Sequence, residues 1–135
     1  MERLVYLVDT NIFLEALLRQ ERTAEVQSFL QSVDLNTIFI TDFSVYSIGI
    51  ALFRLKNFTL FTRFMDDMVV DGIRILSLTL EDLKTLNQPI QRFNIDFDDT
   101  YQYTAAVRYN LQLISFDRDF DRTDRERKEP IDILK

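Results

Sequence analysis

Four short segments bring clustered acids into this chain: Asp9-Thr10-Asn11, Asp42-Phe43-Ser44, Asp96-Phe97-Asp98-Asp99 and Phe116-Asp117-Arg118-Asp119. There is no His and no Cys anywhere in the 135 residues. If these carboxylates meet, each raises the pKa of the others, and the fold tolerates the gathering only with a compensating cation. An oxygen-only donor set selects a hard ion, Mg²⁺ or Mn²⁺, over zinc. Such an ion orients a water, lowers its pKa and stabilises charge on a phosphodiester. Without an imidazole in the chain, the metal is the natural activator of that water.

The elements that must position these acids are legible from patterning. Leu4-Val5-Tyr6-Leu7-Val8 is a continuous apolar run that predicts a buried strand ending at Asp9. Helices follow at Ile12 onward and over residues 23–33, then a second strand over 37–41. A third helix begins at Asp42 and runs to Leu55. Asn57 caps a fourth, which stops at Gly72. Residues 73–78 predict the third strand. Thr79 and Asp82 form a capping box for a helix reaching about Gln91, with Pro89 near its end. Residues 96–110 predict another helix, with Phe97, Tyr101, Thr104, Ala105 and Val107 facing inward. The fourth strand spans 111–115, and residues 131–134 predict a short edge strand.

Strands alternate with helices throughout. The pattern predicts an α/β fold: a three-layer α/β/α sandwich around a central, mostly parallel sheet of four or five strands, with residues 1–135 forming one domain. Sites in open parallel sheets lie outside the carboxyl ends of the strands. The acidic segments follow the first, second and fourth strands or open a helix that leads into one, so all four converge on one rim.

Each acid also has a simpler explanation. Asp9 suits a helix N-cap. Asp98 and Asp99 suit the first turn of a helix, where acids favour the dipole. Asp117, Asp119 and Asp121 alternate with Arg118 and Arg122 as a solvated surface run does. Tyr101 and Tyr103 read as packing residues rather than base-stacking ones. The joint placement, rather than any one residue, carries the argument.

Composition removes other chemistries. Ser-His-Asp and Cys-His catalysis, zinc fingers and disulfides are excluded. Two glycines, Gly49 and Gly72, cannot build a Walker loop or a dinucleotide fingerprint. The net charge of −6 disfavours a uniformly basic nucleic-acid module but not a metal-dependent nuclease, whose cations reverse the local sign. Asp42 and several hydroxyls break the apolar stretch over 38–53, and Asp9 interrupts the N-terminal one. No membrane span or leader is expected, and the reading is a soluble, cytoplasmic protein.

Leu7-Val8-Asp9-Thr10-Asn11-Ile12-Phe13 resembles the opening motif of PIN-domain proteins, the family of metal-dependent ribonucleases that includes VapC-type toxins. Asp96-Phe97-Asp98-Asp99-Thr100 resembles the family's helix-borne acid, and Leu113-Ile114-Ser115-Phe116-Asp117-Arg118-Asp119-Phe120 its closing motif. The resemblance implies that Asp9, Asp99 and Asp117 bind Mg²⁺ or Mn²⁺ and cleave an RNA phosphodiester. Asn11 then braces the site, with Asp119 in the outer shell and Asp98 as a first-turn acid beside them. It also implies a toxic or regulatory activity blocked by a separate antitoxin protein, and a homodimer. One departure stands out: Ser47 falls where the family places a Glu, and Asp42 is the nearest substitute. Phosphate contacts are expected from Arg19, Arg54, Lys56, Arg118 or Arg122. Two other readings remain: a catalytically degenerate PIN domain that binds RNA or protein, and a phosphatase or DNA-directed nuclease on a related scaffold. The latter is weakened because no second Asp lies two residues after Asp9.

Overall fold

The computed structural model describes residues 4–134. Five strands form one parallel sheet: β1 (Tyr6–Val8), β2 (Ile38–Thr41), β3 (Arg74–Leu76), β4 (Gln112–Ile114) and β5 (Arg127–Lys128), in the order β3-β2-β1-β4-β5. β1 is central. Leu7 pairs with Phe39 of β2 on one side and Leu113 of β4 on the other. Parallel strands require crossovers, and the helices supply them: α1 (Thr10–Leu17), α2 (Thr23–Ser32), α3 (Asp42–Arg54), α4 (Phe58–Asp71), α5 (Leu80–Leu83), α6 (Asn87–Phe93), α7 (Phe97–Arg108) and α8 (Pro130–Ile133). The result is the expected α/β/α sandwich.

The two-residue period of a strand explains the layers. Tyr6 and Val8 of β1, Ile38 and Ile40 of β2 and Ile114 of β4 pack with α1–α4, against Ile12, Phe29, Ile48, Leu52 and Phe64. Leu7 and Leu113 point the other way, into a second core with Tyr101, Tyr103, Ala105 and Ala106 of α7, Leu111 and Phe120. Both faces of the central strands are therefore buried, which is why β1 reads as an unbroken apolar run.

Three expectations need correction. Residues 131–134 form a helix, α8, not an edge strand. Pro130 supplies a fixed φ in its first turn, and the Glu129 N–H donates to Asp132 in a capping box. The edge strand is β5, three residues earlier, where Arg127 and Glu129 join Arg22 and Glu25 of α2 in a run of ion pairs. The helix expected from Thr79 to Gln91 is two helices. Pro89 has no N–H to continue a ladder from α5, and the chain restarts at Asn87 with Pro89 in the first turn of α6. On α7, Phe97 and Val107 are exposed rather than inward. The signals at Asn57, Gly72 and Thr79 hold: Asn57 accepts from the Leu60 N–H, Gly72 ends α4 at φ 78°, and Thr79 and Asp82 cap α5. Among the described residues, no helix is long and apolar enough to cross a membrane.

Candidate metal centre

α1 and α3 start where β1 and β2 end, and α7 starts at the same edge, so three helix N-termini ring the carboxyl rim of the sheet. The turn after β4 closes the ring. Between them lies a cavity of about 210 Å³ lined by Asp9, Thr10, Asn11, Leu14, Phe43, Ser47, Asp98, Asp99, Gln102 and Asp117. Four of these ten residues are aspartates and none is basic.

Asp9 is the N-cap of α1 and is 6% exposed. Its Oδ1 accepts from the Thr10 N–H at 2.8 Å and from Gln102 Nε2 at 2.8 Å, and its Oδ2 accepts from Ser115 Oγ at 2.7 Å. Burial pushes its pKa above the ordinary carboxylate value despite these donors. Asp99 sits in the first turn of α7, 7% exposed. Its pKa is pushed up to about 8, first by burial and then by the charges of Asp117, Asp98 and Asp9. Asp117 caps the 3-10 turn Arg118–Arg122, accepting from the Asp119 N–H at 2.9 Å, while its own N–H donates to Ser115 Oγ at 2.9 Å.

Carboxylate oxygens of Asp99, Asp117 and Asp119 lie within 4.8 Å of one another, as do those of Asp96, Asp98 and Asp99. This donor set fits a hard divalent ion: oxygen ligands only, like charges held close, and no cation on the cavity wall. Asp9, Asp99 and Asp117 thus share one cavity, with Asp98 on its wall and Asp119 beside Asp117. Asn11 touches no carboxylate. Its amide braces the turn after β4, donating to Ser115 Oγ and accepting from the Phe116 N–H, each at 3.3 Å.

Ser47 does line the cavity, one turn of α3 beyond Phe43. Asp42 does not. Its carboxylate accepts from the Tyr101 hydroxyl at 2.6 Å, Ser77 Oγ at 2.9 Å and the Phe43 N–H at 2.8 Å, so it is no substitute for the missing Glu. The expected phosphate-binding cations are mostly misplaced. Arg54 ends α3 and Lys56 follows it, about 10 Å or more along the helix axis from Ser47 on the cavity wall. Arg19 follows the far end of α1. Arg122 is close, but it is held by Asp119 at 3.2 Å and the Asn94 carbonyl at 2.8 Å. Arg118 is exposed beside Asp117.

Two organising residues escape the motif reading. Gln102 is 2% exposed and fully engaged. Its Nε2 donates to Asp9 and to Ser44 Oγ at 2.9 Å, and its Oε1 accepts from Thr41 Oγ1 at 2.7 Å. Its only signal is a position three residues after Asp99, on the same face of a helix. Ser115, wholly buried, links Asp9, Asn11 and Asp117. It is marked only by being the hydroxyl that ends an apolar strand.

The family model for the PIN domain matches residues 6–126. No curated protein matches the chain. Among solved structures, the chain is similar to one described as FitAB bound to an IR36 DNA fragment, with a TM-score of 0.81 at 20% identity over 93% of this chain and 95% of that one. It is similar to FitAcB from Neisseria gonorrhoeae, with a TM-score of 0.78 at 20% identity over 94% and 99%. Mycobacterium tuberculosis VapC20, described as a sarcin-ricin loop cleaving toxin, superposes with a TM-score of 0.77 at 14% identity over 93% and 99%. At these identities the structures share a fold. Together with the match over nearly the whole chain, they place the acidic rim on a known scaffold: the chain belongs to the PIN-domain family.

Proposed function

We propose that this PIN-domain protein is a metal-dependent endoribonuclease, with Asp9, Asp99 and Asp117 holding Mg²⁺ or Mn²⁺ and Asp98 and Asp119 in support. The observation that carries the reading is a cavity walled by four aspartates with no lining cation. Bound there, a divalent ion supplies an activated water and neutralises charge on the phosphodiester. Gln102 and Ser115 fix the direction of the Asp9 carboxylate, and Asn11 holds the turn that carries Asp117. Burial and its neighbours favour a protonated Asp99, and with a divalent ion bound Asp99 would lose that proton to solvent and serve as a carboxylate ligand. The Ser47 hydroxyl has the right place on the wall to orient a water.

The similar structures include toxins solved in complexes, one described as a toxin-antitoxin complex from Klebsiella pneumoniae, which supports an antitoxin partner for this chain. The RNA substrate draws support from the description of VapC20. A homodimer and a cytoplasmic setting complete the reading.

The test is calorimetric titration of Mn²⁺ into wild type and Asp99→Asn, followed by RNA cleavage assays. Micromolar to low-millimolar binding by wild type alone supports the proposal, and cleavage that needs the ion completes it. Absence of binding by both proteins turns the assignment to a second reading, a binding module without catalysis. That alternative is favoured by Ser47, because α3 brings no carboxylate to the cavity.

A further inference from the structure

An aromatic series runs from the buried Tyr101, through Phe43 on the wall of the acidic cavity, to the exposed Phe97 at the start of α7. Tyr101 is its buried base, locked by hydrogen bonds from its hydroxyl to Asp42 at 2.6 Å and to it from the Leu78 N–H at 3.0 Å. Phe43, on the cavity wall, stacks on Tyr101 with ring centroids 5.4 Å apart and planes at 29°. Phe97 comes next, 6.2 Å from Phe43 at 47° and 53% exposed. It opens α7 between Asp96 and Asp98, a position where helix formation gains nothing from a phenyl ring.

We propose that Phe97, backed by Phe43, is a stacking ledge for an unpaired nucleobase of the strand that enters the acidic cavity. The inference rests on the nuclease reading above. Three arguments support it. No side chain of the cavity wall is cationic and the nearby Arg122 is already paired, so beyond the bound divalent ion and the exposed Arg118 an incoming strand gains from an uncharged source of affinity. Base–aromatic stacking is such a source, and it is indifferent to base identity. The ledge is anchored from inside by Tyr101, so little side-chain freedom is lost when a base settles on it. Its scale also matches: one half-exposed ring suits a single base and falls far short of the roughly 800 Å² per partner of a stable protein interface. Bases within a duplex are stacked on each other and cannot reach it.

The chain has no Trp, so Phe97→Trp installs a sole indole at the ledge. Its emission should be quenched by a single-stranded RNA oligonucleotide and left unchanged by the same sequence annealed to its complement. In parallel, fluorescence anisotropy should show Phe97→Ala binding the single strand about 5- to 100-fold more weakly than wild type, with Phe97→Tyr restoring most of the loss. The melting temperature should stay close to wild type in Phe97→Trp and Phe97→Tyr and fall by no more than a few degrees in Phe97→Ala, which loses the Phe43 contact of a half-exposed ring. Wild-type affinity in Phe97→Ala, or equal quenching by single strand and duplex, overturns the ledge. If Mn²⁺ still binds wild type in that case, the nuclease reading stands without it, whereas failure of Mn²⁺ binding is the result that removes the nuclease reading.

Discussion

Replacing Asp99 with Asn should stabilise the metal-free protein while abolishing its metal binding. Asp99 is nearly buried, and its pKa rises from 3.8 to about 8 through burial and the charges of Asp117, Asp98 and Asp9. For an acid whose folded pKa is raised, folding favours the protonated form. Stability is whole below pH 3.8, falls as pH rises towards 8 and is level above that. At about 1.4 kcal/mol per pKa unit, the full window has a ceiling on the order of 5–6 kcal/mol. The cavity is open to solvent and the acids share their protons, which reduces the working figure to about 2–4 kcal/mol. Asn removes the charge and keeps a donor towards Asp117, as the protonated acid does. For a chain of this length the gain corresponds to a melting temperature roughly 10 °C higher at pH 8. Calorimetric melts in a chelator at pH 4 and pH 8 make the comparison. The difference should nearly vanish at pH 4, where wild-type Asp99 is itself neutral. Adding Mn²⁺ should reverse the order at a thousandfold excess over the dissociation constant, which contributes about 4.1 kcal/mol to wild type alone. An Asp99→Asn protein that melts no higher than wild type at pH 8, or keeps its advantage at pH 4, would falsify the claim that burial and the neighbouring carboxylates disfavour an ionised Asp99.

Ser47→Glu returns a carboxylate to the cavity wall. It should tighten Mn²⁺ binding about tenfold by calorimetry and lower the metal-free melting temperature by a few degrees. Gln102→Leu strips partners from Asp9, Ser44 and Thr41 in a buried site. A loss of about 2–4 kcal/mol in denaturant unfolding is expected, with weaker Mn²⁺ binding. Unchanged unfolding there would mean that the network is slack. Burial, with hydrogen bonds to Asp42 and Asp124, pushes the Tyr101 and Tyr103 hydroxyls up to about 12. An ultraviolet alkaline titration should therefore show a late-ionising step near pH 12 whose amplitude falls in Tyr101→Phe and in Tyr103→Phe.

The central strands and the helices that follow them were readable because burial on both faces leaves an unbroken apolar run, and because Asp9, Asn57, Thr79 and Gly72 carry strong terminal signals. That the acidic segments meet at one rim followed from topology, since residues after parallel strands share an edge, whereas the choice of Asp9, Asp99 and Asp117 among them came from the family resemblance. What escaped depends on direction rather than position. Asp42 lies at the same rim as Asp9, yet Tyr101 and Ser77 turn it away from the cavity. Gln102 lies inside a run of five consecutive buried residues, Asp99 to Tyr103, where no amphipathic period distinguishes a polar hub from a packing residue. The same run explains Phe97 and Val107: α7 is enclosed on several sides, so its exposed positions do not follow a simple stripe. The short β5 has two residues and no hydrophobic signature, and its place is set by the ion pairs of Arg127 and Glu129.

The central position of β1 also bears on how the protein comes into being. Asp9 takes hydrogen bonds from Gln102 and Ser115, 93 and 106 residues away along the chain. Closing a loop of that length costs about 4 kcal/mol of chain entropy before any contact repays it. Such non-local pairings slow folding and make it cooperative. A nascent chain still lacking β4 lacks the Ser115 donor to Asp9 and the Asp117 carboxylate, so its cavity is incomplete. Metal competence should arrive in one step, with the last third of the sequence.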